Sequence, residues 1–505
     1  SKMVSYKNIN KIALVSVYNK SKIKTVCNVL NKFNIGIIST GSTYKKIKSL
    51  GFRCFEISKL TRSKEVLSGR VKTLHPKIYT SILYDRNKKN HLKTFKKINF
   101  PKIDYVIVNL YPFEKFSKLK TSEASILEMI DVGGPSLIRA ASKNFESITT
   151  ICCPEDYVEF CSNLKNNHGC TDAEYRKKMA AKAFELTHKY DKNIFNWLSN
   201  KSENKIRLRY GENPNQKSKF IANKSKSFFE YQIQGKRISY NNILDINSGL
   251  DYLSEFSEPT AVIIKHNNAC GIASSKKIKE AFIKAFKSDS KSAFGGVVLL
   301  NKKVTYEISN YILTKFFQVI VAPGFDKKAI INLQFKKNLI LIDSKKIIKK
   351  ENYNSRSVRG GYLVQETDKE IIKKSNFQTV SKNKIISKKM YEDVLFAFKV
   401  VKHTKSNAII LAKNKQTIGI GAGQMSRIDA IKIAIMKYKE GFNVKNYVCA
   451  SDAFFPFTDS IKILSQNNCS CIIQPSGSIN DKNIINFINK KNMRLLFSKK
   501  RVFKH

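Results

Sequence analysis

Lys265-His266-Asn267-Asn268-Ala269-Cys270-Gly271 directly follows the apolar run Thr260 to Ile264. A lysine, an imidazole and carboxamides at the carboxyl end of a strand make a plausible acid–base unit. The imidazole exchanges a proton near neutral pH, and the ammonium stabilises negative charge as it develops. A lone histidine is more often structural; its place beside Lys265 at a strand end is what argues for chemistry. Ser406-Asn407 precedes another apolar run. Gly419-Ile420-Gly421-Ala422-Gly423-Gln424-Met425-Ser426-Arg427 reads as a glycine-rich strand-to-helix turn, and it is not the GxGxxG dinucleotide fingerprint. Ala450 to Phe457 (ASDAFFPF) is too apolar for an exposed loop without a ligand or partner, and Pro475-Ser476-Gly477-Ser478 reads as a further strand-end turn.

Four groups in the first 200 residues suit a phosphorylated ligand. Ser39-Thr40-Gly41-Ser42-Thr43 follows a strand and opens a helix, where backbone N–H groups and hydroxyls bind phosphate; an ordinary capped turn fits the same residues. Gly69-Arg70-Val71-Lys72-Thr73-Leu74-His75-Pro76 brings a bidentate cation, a point cation, a hydroxyl and an imidazole into one short loop. Asn109-Leu110-Tyr111-Pro112-Phe113 ends an apolar strand, where α/β folds hold their ligands. Asp131 to Asn144 (DVGGPSLIRAASKN) sets a Gly-Gly-Pro turn before a short helix, with Arg139 and Lys143 on one face; an exposed lysine is the plain alternative for Lys143.

The elements that must position these groups alternate. Ile12–Val17 reads as a buried strand and the periodicity through Val26, Val29, Leu30 and Phe33 as a helix. Gly36–Ile38, Tyr105–Leu110 and Ser147–Cys152 read as further strands, and Asp172–Leu198 as a long helix. This alternation predicts a parallel α/β sheet. The polar stretch Ser199 to Lys205 marks a boundary between domains over 1–199 and 200–505. Beyond it, Thr260–Ile264, Gly296–Leu300, Gln318–Val321, Ala408–Ala412 and Ser470–Ile473 read as strands, with helices over Tyr391–Lys402 and Arg427–Tyr438. The lysine-rich stretches Lys345–Tyr353 and Lys369–Lys389 read as solvated connections.

Composition limits the class of protein. The chain of 505 residues is 42% hydrophobic and 26% charged, which suits a folded globular protein of two or three domains. It contains no uncharged apolar run of the roughly 18 residues a membrane helix needs, and its first residues lead into charged sequence rather than a signal peptide. A cytoplasmic enzyme is the expectation. The net charge of +53 raises nucleic acid as a partner. Lysine is instead scattered along the whole chain among Asn, Ile, Phe and Tyr, so the charge reads as compositional bias, with no specific nucleic acid or membrane as partner. Ten cysteines form no CxxC pair, which speaks against zinc and disulfides.

Taken together, the strings resemble the family of bifunctional purine-biosynthesis enzymes that join AICAR transformylase to IMP cyclohydrolase. The resemblance rests on GRVKTLHP, NLYPF and DVGGPSLIRAASKN in the first domain. In the second it rests on LRYGENPNQ (Leu208–Gln216), SYNNILD (Ser239–Asp245), KHNNACG, SAFGG (Ser292–Gly296), KSNAI (Lys405–Ile409), IGIGAGQMSR, SDAFFPF and QPSGS (Gln474–Ser478). It implies an α/β fold: a methylglyoxal-synthase-like N-terminal domain and a cytidine-deaminase-like C-terminal domain of two related halves. It implies no metal, which agrees with the missing HxE and PCxxC signature. It also implies a homodimer with transformylase sites built across the subunit interface.

By that resemblance the second domain moves a formyl group from 10-formyltetrahydrofolate, a cosubstrate, to the 5-amino group of AICAR. The first domain then closes formyl-AICAR to IMP. His266 matches the family's base, Lys265 the stabilising cation and Asn407 a hydrogen-bond donor. Arg209, Tyr210, Gly295, Arg427, Phe454 and Arg501 match AICAR contacts; Ile428, Asp459, Ser476 and Gly477 match the folate side. Lys143 matches the cyclohydrolase proton donor and acceptor. Lys20, Thr40, Gly41, Ser42, Thr43, Arg70, Val71, Lys72, Thr73, Asn109, Asp131 and Val132 match nucleotide-binding positions. The chain departs from the family pattern at Asn19, Ser42, Phe145, Asn215, Ala269 and Gln318, none of them a main catalytic group. Two other outcomes stay open at this level: an enzyme with only the transformylase half, and a basic RNA-binding protein on the old scaffold.

Overall fold

The computed structural model describes residues 9–63, 66–67, 71–117, 122–199, 205–222, 228–346 and 351–505. Gly69 and Arg70 therefore lie outside the described residues. The chain divides into two compact units, Ser1–Glu203 and Asn204–His505.

The first unit is built on a five-stranded sheet of β1 (Ile12–Val17), β2 (Gly36–Ser39), β3 (Phe55–Glu56), β4 (Ile103–Asn109) and β5 (Thr149–Ile151). Their order is β3-β2-β1-β4-β5 and every pairing is parallel. Helices cover both faces, so β1 and β4 are near-continuous apolar runs rather than alternating ones. Two clusters flank the sheet. One packs Val26, Leu30 and Phe160 against β1 and β4, and the other packs Ile78, Leu137 and Ile138 on the opposite side. The Gly133–Lys143 helix lies against the long Ala173–Leu198 helix. The Gly-Gly-Pro sequence forms the first turn of its helix instead of a turn ahead of it. Proline is accepted there because the first helical N–H groups have no partner within the helix.

The second unit starts with a ribbon of β6 (Lys205–Arg207) and β7 (Lys219–Ile221). Its main sheet has twelve strands. The first half holds β8 (Gln232–Gln234), β9 (Thr260–Lys265), β10 (Asn268–Ser274), β11 (Gly296–Leu300), β12 (Phe317–Ala322) and β13 (Ile340–Asp343). An exposed hairpin of β14 (Tyr353–Val358) and β15 (Gly361–Glu366) follows. The second half holds β16 (Phe377–Thr379), β17 (Ile409–Lys413), β18 (Gln416–Gly421), β19 (Tyr447–Ser451), β20 (Cys469–Pro475) and β21 (Arg494–Ser498).

The order β16-β21-β20-β19-β17-β18-β10-β9-β11-β12-β13-β8 is the same six-strand pattern laid out twice, head to head. In each half a hairpin (β9–β10 or β17–β18) is followed by three mutually parallel strands. A short strand from the start of the half then closes the edge. The strands of the two halves join where β10 and β18 pair antiparallel, at Ala273 and Gln416. One face of the sheet carries the Tyr240–Leu253 and Lys388–Lys402 helices in a core cluster that runs through both halves. The other face carries a separate cluster for each half.

The lysine-rich Lys369–Lys389 stretch is more than a solvated connection: it supplies edge strand β16 and the buried side chain of Ile372. Among the described residues, no helix is long and apolar enough to cross a membrane.

Candidate active sites

In the first unit, a cavity of about 560 Å³ opens at the carboxyl ends of β1, β2 and β4. Parallel sheets present helix N-termini and loops at that edge. Thr40, Gly41, Ser42, Thr43, Lys20, Lys72, Thr73, Asn109, Asp131 and Val132 all line it. Val71 does not, and bridges to Val66 beside it. Two helices, Gly41–Ser49 and Gly133–Lys143, start at the cavity, so the N-terminal ends of two helices face it.

Several of these side chains already have partners. Thr43 Oγ1 accepts from Val17 N at 3.2 Å and donates to Val17 O at 3.1 Å. Asn109 Nδ2 donates to Asn19 O at 3.0 Å and its Oδ1 accepts from Asn19 N at 2.9 Å, which ties down the loop carrying Tyr18 and Lys20. Asp131 Oδ1 accepts from Gly134 N at 2.8 Å. Burial pushes the Asp131 carboxyl up, against the bonds from Gly134 and Tyr111 N–H and the charge of Lys72. Burial also lowers the Lys20 amine. A Cβ on Gly134 would fall 2.5 Å from Asp131 Oδ2, so this close approach requires glycine. Tyr18 and Tyr111, whose rings meet edge to face at 5.3 Å, form a wall that motif reasoning left without a role.

Lys143 is not in this cavity. It is exposed at the far end of the helix that starts at Gly133, ten residues and ~15 Å of helix away, more than a lysine side chain spans. Arg139 lies over the Phe184 ring at 5.4 Å in a separate shallow groove.

In the first half of the second unit, a cavity of about 1180 Å³ is lined by Arg209, Tyr210, Lys265, His266 and Gly295. Lys265 ends β9, and His266 and Asn267 form the two-residue turn to β10. Both have left-handed backbone, with φ of 51° and 63°, as the commonest two-residue hairpin turn demands. Gly295 also has positive φ (71°), and a Cβ there would lie 3.3 Å from Lys265 Nζ. Lys265 Nζ donates to Phe294 O. Arg207, Arg237 and Asp245 line the same cavity and were not singled out by the sequence. Burial raises the Asp245 carboxyl, while the Asn267 N–H and the charges of His266 and Lys265 oppose that shift.

The remaining expected residues lie along the matching edge of the second half. Asn407 precedes β17, Phe454 follows β19, Ser476 and Gly477 follow β20, and Arg501 follows β21. Ile428 is half-buried at the start of the Arg427–Gly441 helix, and Asp459 is exposed at the start of the Asp459–Gln466 helix. Arg501 stacks over Phe503 at 4.3 Å. Within the apolar SDAFFPF string, Phe455 is buried whereas Phe454 and Phe457 are exposed.

Arg427 sits behind this surface, at 8% exposure. Its Nη1 donates to Asp452 Oδ1 at 2.5 Å and Ser451 Oγ at 2.9 Å, and its Nη2 donates to Asn407 Oδ1 at 2.6 Å. The cavity that holds His266 does not include Asn407 in its lining; Asn268 Oδ1, 3.4 Å from Lys405 N, links the two regions.

The profile of the AICARFT/IMPCHase bienzyme family matches residues 141–437, and that of the MGS-like domain matches residues 22–136. The bifunctional purine biosynthesis protein PurH of Caldicellulosiruptor bescii is 42% identical, over 98% of this chain and 100% of its own. PurH of Bacteroides thetaiotaomicron is 41% identical, over 98% of this chain and 99% of its own. This chain belongs to the AICARFT/IMPCHase bienzyme family. The MGS-like match falls on the all-parallel first unit, and the bienzyme match spans the last helices of that unit and most of the twelve-stranded sheet. Among the described residues, no three His, Cys, Asp or Glu side chains gather as metal ligands do.

Proposed function

We propose that the two clefts divide the last two steps of IMP synthesis, the pair of reactions that defines the bienzyme family. The enzyme is a formyltransferase and a cyclohydrolase. The observation that carries the assignment of the transfer step is the meeting of Lys265 and His266 with Arg209 and Tyr210 in one cavity at a strand end.

The 5-amino group of AICAR is a poor nucleophile, because its lone pair is delocalised into the imidazole carboxamide. His266 takes the amine proton as nitrogen attacks the formyl carbon, Lys265 stabilises the oxyanion that forms, and its collapse breaks the bond from the formyl carbon to the donor nitrogen, which takes up a proton and leaves as tetrahydrofolate. The formyl donor is a folate-derived cosubstrate, read here as 10-formyltetrahydrofolate. Ile428, Asp459, Ser476 and Gly477 form its surface. Asn407, Phe454 and Arg501 meet AICAR, and Arg427 acts on it through Asn407. Because the cavity that holds His266 does not include Asn407, a homodimer that brings the second half of one copy to the first half of the other completes the site.

The MGS-like unit closes the ring. The carboxamide nitrogen of formyl-AICAR attacks the formyl carbon and water leaves, and orientation supplies much of the rate because both groups belong to one molecule. The two helix N-termini and Thr40 to Thr43 hold the phosphate, and Lys72, Thr73 and Asp131 surround the reacting end. Lys143 serves as proton donor only from a second copy, since it does not reach the cleft of its own chain.

The test is to supply AICAR and 10-formyltetrahydrofolate and follow products. IMP is expected. Formyl-AICAR alone would remove the second activity, and neither product would overturn the reading.

A further inference from the structure

The His266 turn has an internal twin. The Tyr240–Leu253 helix precedes the β9–β10 hairpin, and the Lys388–Lys402 helix precedes β17–β18. Asp245 and Asp393 are each the sixth residue of their helix, and each accepts from the hairpin turn of its own half. Asp393, 3% exposed, takes two turn N–H groups: Asn414 at 3.0 Å and Lys415 at 2.7 Å. Both turn residues have φ of 51°. Here the carboxylate holds both N–H groups of the turn.

In the half that carries His266, the same device is altered. Asp245 accepts only one turn N–H, from Asn267 at 2.8 Å, and its carboxylate lines the cavity that His266 and Lys265 line. Ser248, one helical turn further on, donates to Asn267 O at 2.8 Å. The Asn267 residue is thus gripped at both its N–H and its C=O from one helix face, and His266 is the adjoining turn residue.

We infer that Asp245 is a positioning residue for formyl transfer: it fixes the turn that sets the His266 imidazole, and its carboxylate supplies the negative charge facing that imidazole in the cleft. This rests on reading His266 as the base, and the variants separate the two claims. Asp245→Ala should lower kcat for transfer ~10- to 100-fold, the scale of a misplaced catalytic group, with KM for AICAR changed by less than ~3-fold. On a His266→Ala background it should add no further loss, because a residue acting through another has nothing left to act on. Asp393→Ala should lower thermal stability and leave kcat unchanged.

Asp245→Asn keeps an acceptor oxygen, and so the turn, but removes the charge. The imidazolium formed as His266 takes the amine proton lacks its counter-charge in that variant, so kcat should fall, by less than in Asp245→Ala, with KM for AICAR unchanged. The other charged groups facing the pair are Lys265, Arg207, Arg209, Glu212, Lys236 and Arg237, and parent and variant share them. If His266→Ala transfers formyl at the parent rate, the base assignment falls. If His266→Ala is slow but Asp245→Ala keeps the parent kcat, or loses further activity on the His266→Ala background, Asp245 is not a positioning residue. A parent kcat in Asp245→Asn would remove the charge from its role; that variant decides the matter if Asp245→Ala fails to fold.

Discussion

Arg427 Nη2 donates to Asn407 Oδ1 at 2.6 Å, and this bond fixes which way the Asn407 carboxamide faces. Its Nδ2 then points to the main-chain carbonyls of Gln424 at 2.9 Å and Met425 at 3.1 Å. Asn407 is therefore held on both sides by the turn ahead of the Arg427–Gly441 helix, and Arg427 is held in turn by Asp452, which has no solvent exposure. Asp452→Ala leaves a buried guanidinium without its counter-charge. The expected loss is ~3–5 kcal/mol of stability, measured by denaturant unfolding. Asp452→Asn should lose less, because it keeps a hydrogen-bond acceptor at the same place.

His266→Ala should cut formyl transfer ~10²-fold or more, the scale for losing a general base. Ring closure of supplied formyl-AICAR should continue at the parent rate, because the cleft at β1, β2 and β4 contains none of the second unit's residues. Separate assays of the two steps check both halves of this expectation.

Lys143→Ala should slow ring closure while formyl transfer proceeds, so formyl-AICAR accumulates. Lys72→Ala should slow the same step from inside the cleft. If Lys143 serves a second copy's cleft, mixing the two inactive variants restores about a quarter of the parent rate in a random dimer population, since one cleft of each mixed pair is intact. No recovery in the mixture would place the Lys143 effect within its own chain.

Glu255, Lys402 and His403 form a buried cluster in the second unit. Lys402 Nζ lies 2.9 Å and His403 Nε2 3.0 Å from Glu255 Oε1. Burial alone would raise the Glu255 carboxyl, but the bonds from His403 and Lys402 outweigh it and hold it below its ordinary 4.5. Burial lowers His403 below its ordinary 6.5, against the pull of Glu255. Both folded values are depressed, so the stability each contributes is present above its unfolded value and is lost as pH falls through the folded one. The second unit should begin to lose stability below about pH 6.5 and lose more below about 4.5. His403→Gln should flatten the upper part of that decline in unfolding curves taken between pH 7 and 5.

The sequence disclosed the first unit's strands well, because parallel strands covered on both faces are unbroken apolar runs such as Ile12–Val17 and Ile103–Asn109. It disclosed the motif residues around both clefts, since they cluster at strand ends. It did not disclose that Lys143 lies a whole helix away from the cleft, because a motif places neighbours in sequence and not at one end of an element. It did not show that Arg427 is spent on Asp452 and Asn407, partners brought together only by the sheet. The glycine-rich IGIGAG string reads as a strand-to-helix turn, and a Cβ at Gly421 would meet Ala430 O at 1.9 Å. That glycine lets the helix lie against β18, a packing demand that looks the same in sequence as a phosphate loop.

The core cluster that spans both halves of the twelve-stranded sheet bears on how the protein is made. Val262, Ile264, Val297 and Val319 pack in the same cluster as Val394, Val401, Ile410 and Leu496. Synthesis runs from the amino end, so the first half leaves the ribosome long before the second is available to it. Until the second half emerges, the first half's share of this cluster has only its own helix, Tyr240–Leu253, to cover it. A message cut short after the first half should therefore yield a fragment with part of this apolar cluster exposed, prone to aggregate, rather than half an enzyme.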